Sequence, residues 1–297
     1  MRTRGAVEWV SLVLSFLLPA LAWGAERPAR RFSVSFYPFC YFPTFDSAFD
    51  HAYVPGPLDA LPGSGASQVL TLQGAGEAGL AFALGYRFNE LLGVRLTVGR
   101  AESGIKGENS PYVVIMKYVS RQPPSYEPKE CTYESTRPWA STSGKLKTLS
   151  AVVGLEIGHD FSRLISGAAT VGAGLYRVWG DFGPLGYTTA WLGGHSVLMM
   201  DNDLLFLKVP ASWKPGLDLG AEVALSLGRG VVLSLRGGYS FVGKLKVVPV
   251  LDRVVSDPYL SPASPEEVSE IAAVLSLRPL RLSPSAFRLG VGLGIGF

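Results

Sequence analysis

The stretch Phe287 to Phe297, FRLGVGLGIGF, limits what this chain can fold into more than any other. On an extended strand Phe287, Leu289, Val291, Leu293, Ile295 and Phe297 share one face, while Arg288, Gly290, Gly292, Gly294 and Gly296 share the other. A soluble strand sets large apolar residues against polar, solvated ones. An apolar face backed by glycine instead fits the wall of a narrow barrel in lipid. There the outer face meets hydrocarbon, and the inner face leaves room for side chains from other strands. At roughly 9 to 11 residues per tilted crossing, the segment is just long enough to span.

The same period of two recurs along the chain. Phe32, Val34 and Phe36 mark a first strand. Leu80, Phe82, Leu84, Tyr86 and Phe88 mark a second, and Leu92, Val94, Leu96 and Val98 a third, with a tight turn at Asn89 to Leu91 between them. Leu149 to Ile157 gives a fourth strand, and a turn at His159 to Leu164 leads to a fifth that ends near Trp179. Leu217 to Leu227 and Val231 to Tyr239 form a hairpin about Gly228-Arg229-Gly230. Phe287 to Phe297 is the eighth strand. Three short turns therefore alternate with four long connections, the pattern of an outer-membrane barrel with short periplasmic turns and long outer loops. The expected fold is all-β, a transmembrane antiparallel up-and-down barrel of eight strands, or ten if an apolar loop segment inserts. The long connections read as loops: Asp46 to Ser67, Ala101 to Gly144, Asp181 to Lys214 and Pro249 to Ser285. Within them, Tyr112 to Val119 suits one member of a strand pair, Leu204 to Val209 suits a strand extended above the membrane, and Ser264-Pro265 suits a helix start. Aromatic girdles are expected from Phe88, Phe161 and Phe297 at one interface and from Tyr37, Tyr176, Trp179, Tyr239 and Phe287 at the other.

The N-terminus has the form of a secretory signal. Arg2 and Arg4 precede the apolar run Val10 to Leu21, and Ala22-Trp23-Gly24 fits a small-x-small cleavage site, with Ala20-Leu21-Ala22 as a second candidate. The run is shorter than a membrane-spanning helix and Pro19 interrupts it. The expected organisation is a signal peptide over 1–24 and one barrel domain over 25–297. The formal net charge of +3 over 297 residues argues against nucleic acid as a partner. Charged residues make up 17%, below the roughly 25% of soluble domains. Cys40 and Cys131 are an even count in an exported chain, which permits one disulfide.

Taken together, the signal peptide, the eight alternating segments and the closing strand resemble the small outer-membrane barrels of the OmpA, OmpX and OmpW types. The resemblance implies that Phe287, Leu289, Val291, Leu293, Ile295 and the terminal Phe297 form the signal read by the barrel assembly machinery. It also implies a bacterial outer-membrane location with lipid as the surrounding partner, and leaves the closest subfamily open.

A set of charges should face the lumen: Arg87, Arg95, Glu156, Asp218, Glu222, Arg236 and Arg288. Glu222 and Arg236 are symmetric about Arg229, so they should sit directly opposite and pair across the strands. Arg95 and Glu156 are a second candidate pair. Such charges form either a salt-bridged plug or the constriction of a narrow polar pore, or of a conduit like that of the OmpW type. Gly74 to Gly79 matches GxGxxG, but no helix can follow where Leu80 to Phe88 alternates at period two. Asp50-His51, His195-Ser196 and Asp201-Asn202-Asp203 could meet at the outer rim, resembling surface proteases of the omptin kind, but those have ten strands and a different spacing. No cluster has metal-ligand spacing. The chain is therefore expected to be neither an enzyme nor a cofactor or metal binder. Its expected role is surface interaction or envelope integrity, with host or envelope ligands for the long loops and a narrow pore as the alternative.

Overall fold

The computed structural model describes residues 31–44, 46–53, 61–109, 111–121, 127–137, 141–192, 198–257 and 261–297. The signal-peptide segment and its cleavage site lie outside them. In chain order the strands are β1 (Phe32–Pro43), β2 (Asp46–Tyr53), β3 (Gly65–Ala75), β4 (Glu77–Arg87), β5 (Leu92–Asn109), β6 (Tyr112–Ser120), β7 (Lys129–Arg137), β8 (Ser143–Asp160), β9 (Ile165–Leu192), β10 (Leu198–Gly228), β11 (Val231–Val242), β12 (Leu245–Val247), β13 (Val250–Asp257) and β14 (Ser261–Pro262). The helix α1 (Pro265–Val274) follows, then β15 (Ser276–Leu277), β16 (Leu280–Leu282) and β17 (Ala286–Gly296).

Eight of these strands close on themselves, all antiparallel, in the order β1, β4, β5, β8, β9, β10, β11, β17 and back to β1. Closure pairs every strand on both sides, which is what allows strands to cross lipid. The hydrogen-bonded row through Phe32 passes Tyr86, Val94, Leu155, Val171, Leu219, Tyr239 and Phe287, and re-enters β1 at Phe42. That displacement, Phe32 to Phe42, is the stagger of the barrel. It tilts every strand against the axis.

The outward face carries the apolar band expected of a transmembrane barrel. Phe36, Phe82, Leu96, Leu155, Val171, Leu217, Leu235 and Leu293, one from each strand, are all exposed large hydrophobics. Phe32, Phe88, Phe161 and Phe297 ring the short-turn end, and Phe42, Trp213, Phe241 and Phe287 ring the far end. Tyr37 and Tyr176 do not belong to the far girdle: both are buried and point inward, Tyr37 because β1 runs on to Pro43 instead of ending near Phe36, and Tyr176 because β9 turns it to Asp218 in the lumen. At the β10–β11 turn Gly228, Arg229 and Gly230 all take positive φ (93°, 43° and 94°), a conformation that glycine adopts at little cost.

The long connections differ most from the expected loops. β9 has 28 residues and β10 has 31, against the roughly 9 to 11 needed to cross, and the two stay paired from Ile165–Leu225 to Leu192–Leu198. Beyond the band β2, β3, β6, β7, β13 and β14 extend the same sheet. Leu70, Leu72, Ile105, Tyr112, Leu205 and Leu207 are completely or almost completely buried there, in a core that no single loop could form. Phe49 and Phe182 meet in it edge to face at 5.4 Å. Burial, with Asp203 and Tyr112 adding to it, pushes the Tyr187 hydroxyl up to about 12. The helix α1 begins as expected: Ser264 caps it, Glu267 N–H donates to Ser264 Oγ (3.3 Å), and Ser264 N–H donates to Glu267 Oε2 (2.7 Å).

Candidate functional site

All seven predicted charges are on inward positions, stacked along the lumen. Nearest the short-turn end, Arg95 on β5 bridges two carboxylates. Its Nη2 lies 2.6 Å from Glu156 on β8, and its Nη1 pairs with Glu222 on β10. Arg87 reaches Glu156 at 3.7 Å. Glu222 therefore does not form the expected ion pair with Arg236. The two are directly opposite in the β10–β11 ladder, but Arg236 donates to Tyr37 Oη at 2.9 Å and its guanidinium lies 5.1 Å over that ring.

The tilt explains the exchange. The hydrogen-bonded row through Arg95 runs to Gly154, Gly172 and then Asp218. Arg95 instead meets Glu222, four positions nearer the short-turn end, because three steps around a staggered barrel lower the level by about that much. A planar guanidinium presents donors on two edges, so Arg95 can satisfy both carboxylates at once. The next layer follows the same rule: Arg288 on β17 pairs with Asp218, which also accepts from Tyr176 Oη and Ser240 Oγ, each at 3.2 Å.

Aromatic residues of β1 fill the space between and above these layers. Tyr37, Phe39 and Tyr41 alternate inward and are buried, Phe39 lying against Gly79 and Gly290 and Tyr37 against Gly292 on neighbouring strands. A Cβ on Gly79 would sit 2.5 Å from Phe39 Cε2 and 2.9 Å from the Arg100 carbonyl, and one on Gly290 would meet the Pro38 carbonyl at 2.6 Å. Beside Tyr37 and Phe39 the inward glycines are thus occupied space, not open volume. Gly79→Ala should lower barrel stability by roughly 1–3 kcal/mol. Gly220→Ala, whose Cβ would meet Arg236 at an ordinary 3.6 Å, should leave it nearly unchanged; urea midpoints of the two variants in lipid vesicles check the contrast. At the far end Tyr41 Oη donates to the Pro284 carbonyl at 2.9 Å, and Ser285 Oγ accepts from Val242 N–H at 3.0 Å. Segment 283–285 thus closes over the last aromatic.

Cys40 and Cys131 are free thiols. Cys40 is on the outward face of β1, between Leu289 and Ala78, while Cys131 is opposite Tyr118 in the β6–β7 hairpin. The disulfide that the even count permits is not formed, because β1 carries Cys40 in the barrel wall while Cys131 is in the outer β6–β7 hairpin. The terminal-strand set Phe287, Leu289, Val291, Leu293, Ile295 and Phe297 faces outward throughout. Gly74 belongs to β3 and Gly79 to β4, so the GxGxxG stretch opens no helix. Of the rim residues, Asp50 pairs with Arg278 at 2.7 Å and Asp203 is buried. His195 and Ser196 are outside the described residues, and no metal-binding group of three or more ligands occurs among the described ones. The inward aromatics of β1 were missed from sequence, although their period of two continues that of Phe32 to Phe36 on the opposite face.

No family model matches the chain, and no curated protein matches it. Among solved structures it is similar to the outer membrane protein OprG from Pseudomonas aeruginosa, with 12% identity over 92% of this chain and 98% of that one and a TM-score of 0.42. It is also similar to the outer membrane protease OmpT from Escherichia coli (8% identity, 93% and 100% coverage, TM-score 0.39). A third is a major outer membrane protein from Thermus thermophilus (13% identity, 89% and 99% coverage, TM-score 0.35). The fold assignment rests on the closed eight-strand ring itself.

Proposed function

We propose that this chain is an integral protein of the bacterial outer membrane whose barrel is an anchor with a plugged lumen, and whose working part is the β-sheet structure held outside the membrane. The observation that carries this reading is the division of the molecule into two packed parts. Ion pairs and aromatics cross the barrel interior in successive layers, and above them an apolar core, continuous with the lumen through Tyr176, stabilises strands that run far beyond the lipid band. Arg95 spanning the lumen between two carboxylates fits a plug better than a path for ions. A rigid platform well above the membrane suits contact with other surfaces or envelope components. The role in this reading is non-enzymatic.

Thiol labelling of intact cells tests the orientation. A membrane-impermeant maleimide should modify Cys131 and spare Cys40, which faces the lipid band. Labelling of Cys131 only after the outer membrane is permeabilised would place the sheet on the periplasmic side and defeat the proposal.

A further inference from the structure

At the end of the apolar band nearer the outer sheet, one side of the barrel wall is basic and the other is not. The outward row that carries the girdle residue Trp213 runs through Arg177 on β9 and Leu149 on β8 to Arg100 on β5. Two positions further from the band, the outward row is Glu102, Lys147 and Trp179, and the next is Gly104, Lys145 and Asp181. Directly beneath lie Val98, Ala151 and Leu175, still within the band. Arg100, Lys145 and Arg177 are exposed and Lys147 is half-buried. The Arg177 guanidinium lies 5.5 Å over the Trp179 ring, which holds it at the rim.

These rows hold four cations, Arg100, Lys145, Lys147 and Arg177, and two acids. Glu102 contacts Arg100 at 3.3 Å and Lys145 at 3.5 Å and stands opposite Lys147. Asp181 stands between Lys145 and Lys208, and Lys208 has Asp252 at 3.9 Å. With both acids counted in full, the strip keeps two positive charges. On the opposite wall, outward positions at the same end hold Phe241 on β11, Phe287 on β17, Phe42 on β1 and Ala78 on β4, none of them charged.

We infer that this strip of β5, β8 and β9 is a docking surface for a bisphosphorylated glycolipid of the outer leaflet. Cations at the edge of an apolar band lie at headgroup depth, where the nearest counter-ions are lipid phosphates. Their restriction to one wall points to a discrete headgroup instead of a general attraction to the leaflet. Arg100 and Arg177 are two strands apart, about 10 Å, with apolar Leu149 between them. Two phosphates fit along the strip, and acyl chains of the same lipid lie against Val98, Ala151 and Leu175 below. A phospholipid with a single phosphate would leave half of the surplus unmatched. The choice of leaflet rests on the orientation proposed above; the recognition of phosphate does not.

Native mass spectrometry of the refolded protein in detergent micelles containing bisphosphorylated lipid A tests the inference. The wild type should retain one lipid A. Lys147→Gln combined with Arg177→Gln should weaken retention roughly tenfold or more, whereas Lys129→Gln, on β7 in the outer sheet, should leave it unchanged. Removing both phosphates from the lipid should abolish retention by the wild type, which decides the matter even if the double variant does not refold. Equal retention of the dephosphorylated lipid or of phosphatidylglycerol, or undiminished retention by the double variant, would overturn the assignment. Labelling of Cys131 in intact cells is read separately. Retention of lipid A by a chain whose Cys131 reacts only after permeabilisation would overturn the leaflet and keep the phosphate-binding strip.

Discussion

Arg95→Met lowers the stability of the folded barrel by roughly 3–5 kcal/mol, the cost of leaving buried carboxylates without their cation. Arg95, Glu156 and Glu222 keep only 9%, 8% and 12% of their side-chain surface exposed, and one guanidinium serves both acids. Removing it leaves Glu156 with the more distant Arg87 at 3.7 Å and Glu222 with no ion-pair partner unless Arg236 abandons Tyr37. A triple variant, Arg95→Met with Glu156→Leu and Glu222→Leu, should recover most of the loss, because replacing a whole buried ion triad by apolar residues is often neutral or better. Urea unfolding in lipid vesicles, followed by tryptophan fluorescence, reads both. A single variant as stable as wild type would mean that water reaches these carboxylates and that the lumen is open at this level.

Phe182→Ala should be equally costly but in a different place. Phe182 is 2% exposed in the core outside the membrane, packed edge to face against Phe49, and truncating such a residue costs roughly 3–5 kcal/mol. The loss should be confined to the outer sheet, because the barrel strands below keep their pairing and their lipid-facing band. External protease should then cut the variant within the outer strands while the membrane-embedded strands remain protected. Resistance like that of wild type would show that the outer sheet is not held by this core. Loss of the whole barrel would show instead that the two parts unfold as one unit.

How far the sequence reaches into this molecule follows from its periodicities. Alternation at period two, read against short turns, identifies all eight barrel strands and the outward faces of the terminal strand, since each hairpin fixes its own register. The centre at Arg229 correctly puts Glu222 opposite Arg236. Hairpin symmetry says nothing, however, about levels on strands that do not touch. Those depend on the stagger of the closed barrel, which is the sum of all eight pairings, including those across the long connections such as β5 with β8, β9 with β10 and the β1–β17 seam. Hence Arg95 and Glu222, on strands with two others between them, could be read as inward but not as partners. The outer sheet was hidden for another reason. Its residues are buried by long-range pairing such as β3 with β5 and β10 with β13, and segments such as Asp46 to Ser67, rich in Pro, Gly and Asp, carry the local signature of a loop. Cys40 lies in the wall for a related reason: the alternation of Phe32, Val34 and Phe36 marks only the start of β1, which continues through Pro38 to Pro43 with Pro38 on its outward face.

The central claim is that the barrel anchors a folded outer sheet and does not conduct. Planar-bilayer recording of the refolded mature protein, as wild type and as Glu222→Gln over a range of salt concentrations, tests it most directly. The account predicts no discrete conductance steps from protein shown independently to be folded and inserted. Reproducible steps whose ion selectivity shifts with Glu222→Gln would contradict it, and would identify the layer of Arg95, Glu156 and Glu222 as the constriction of a pore.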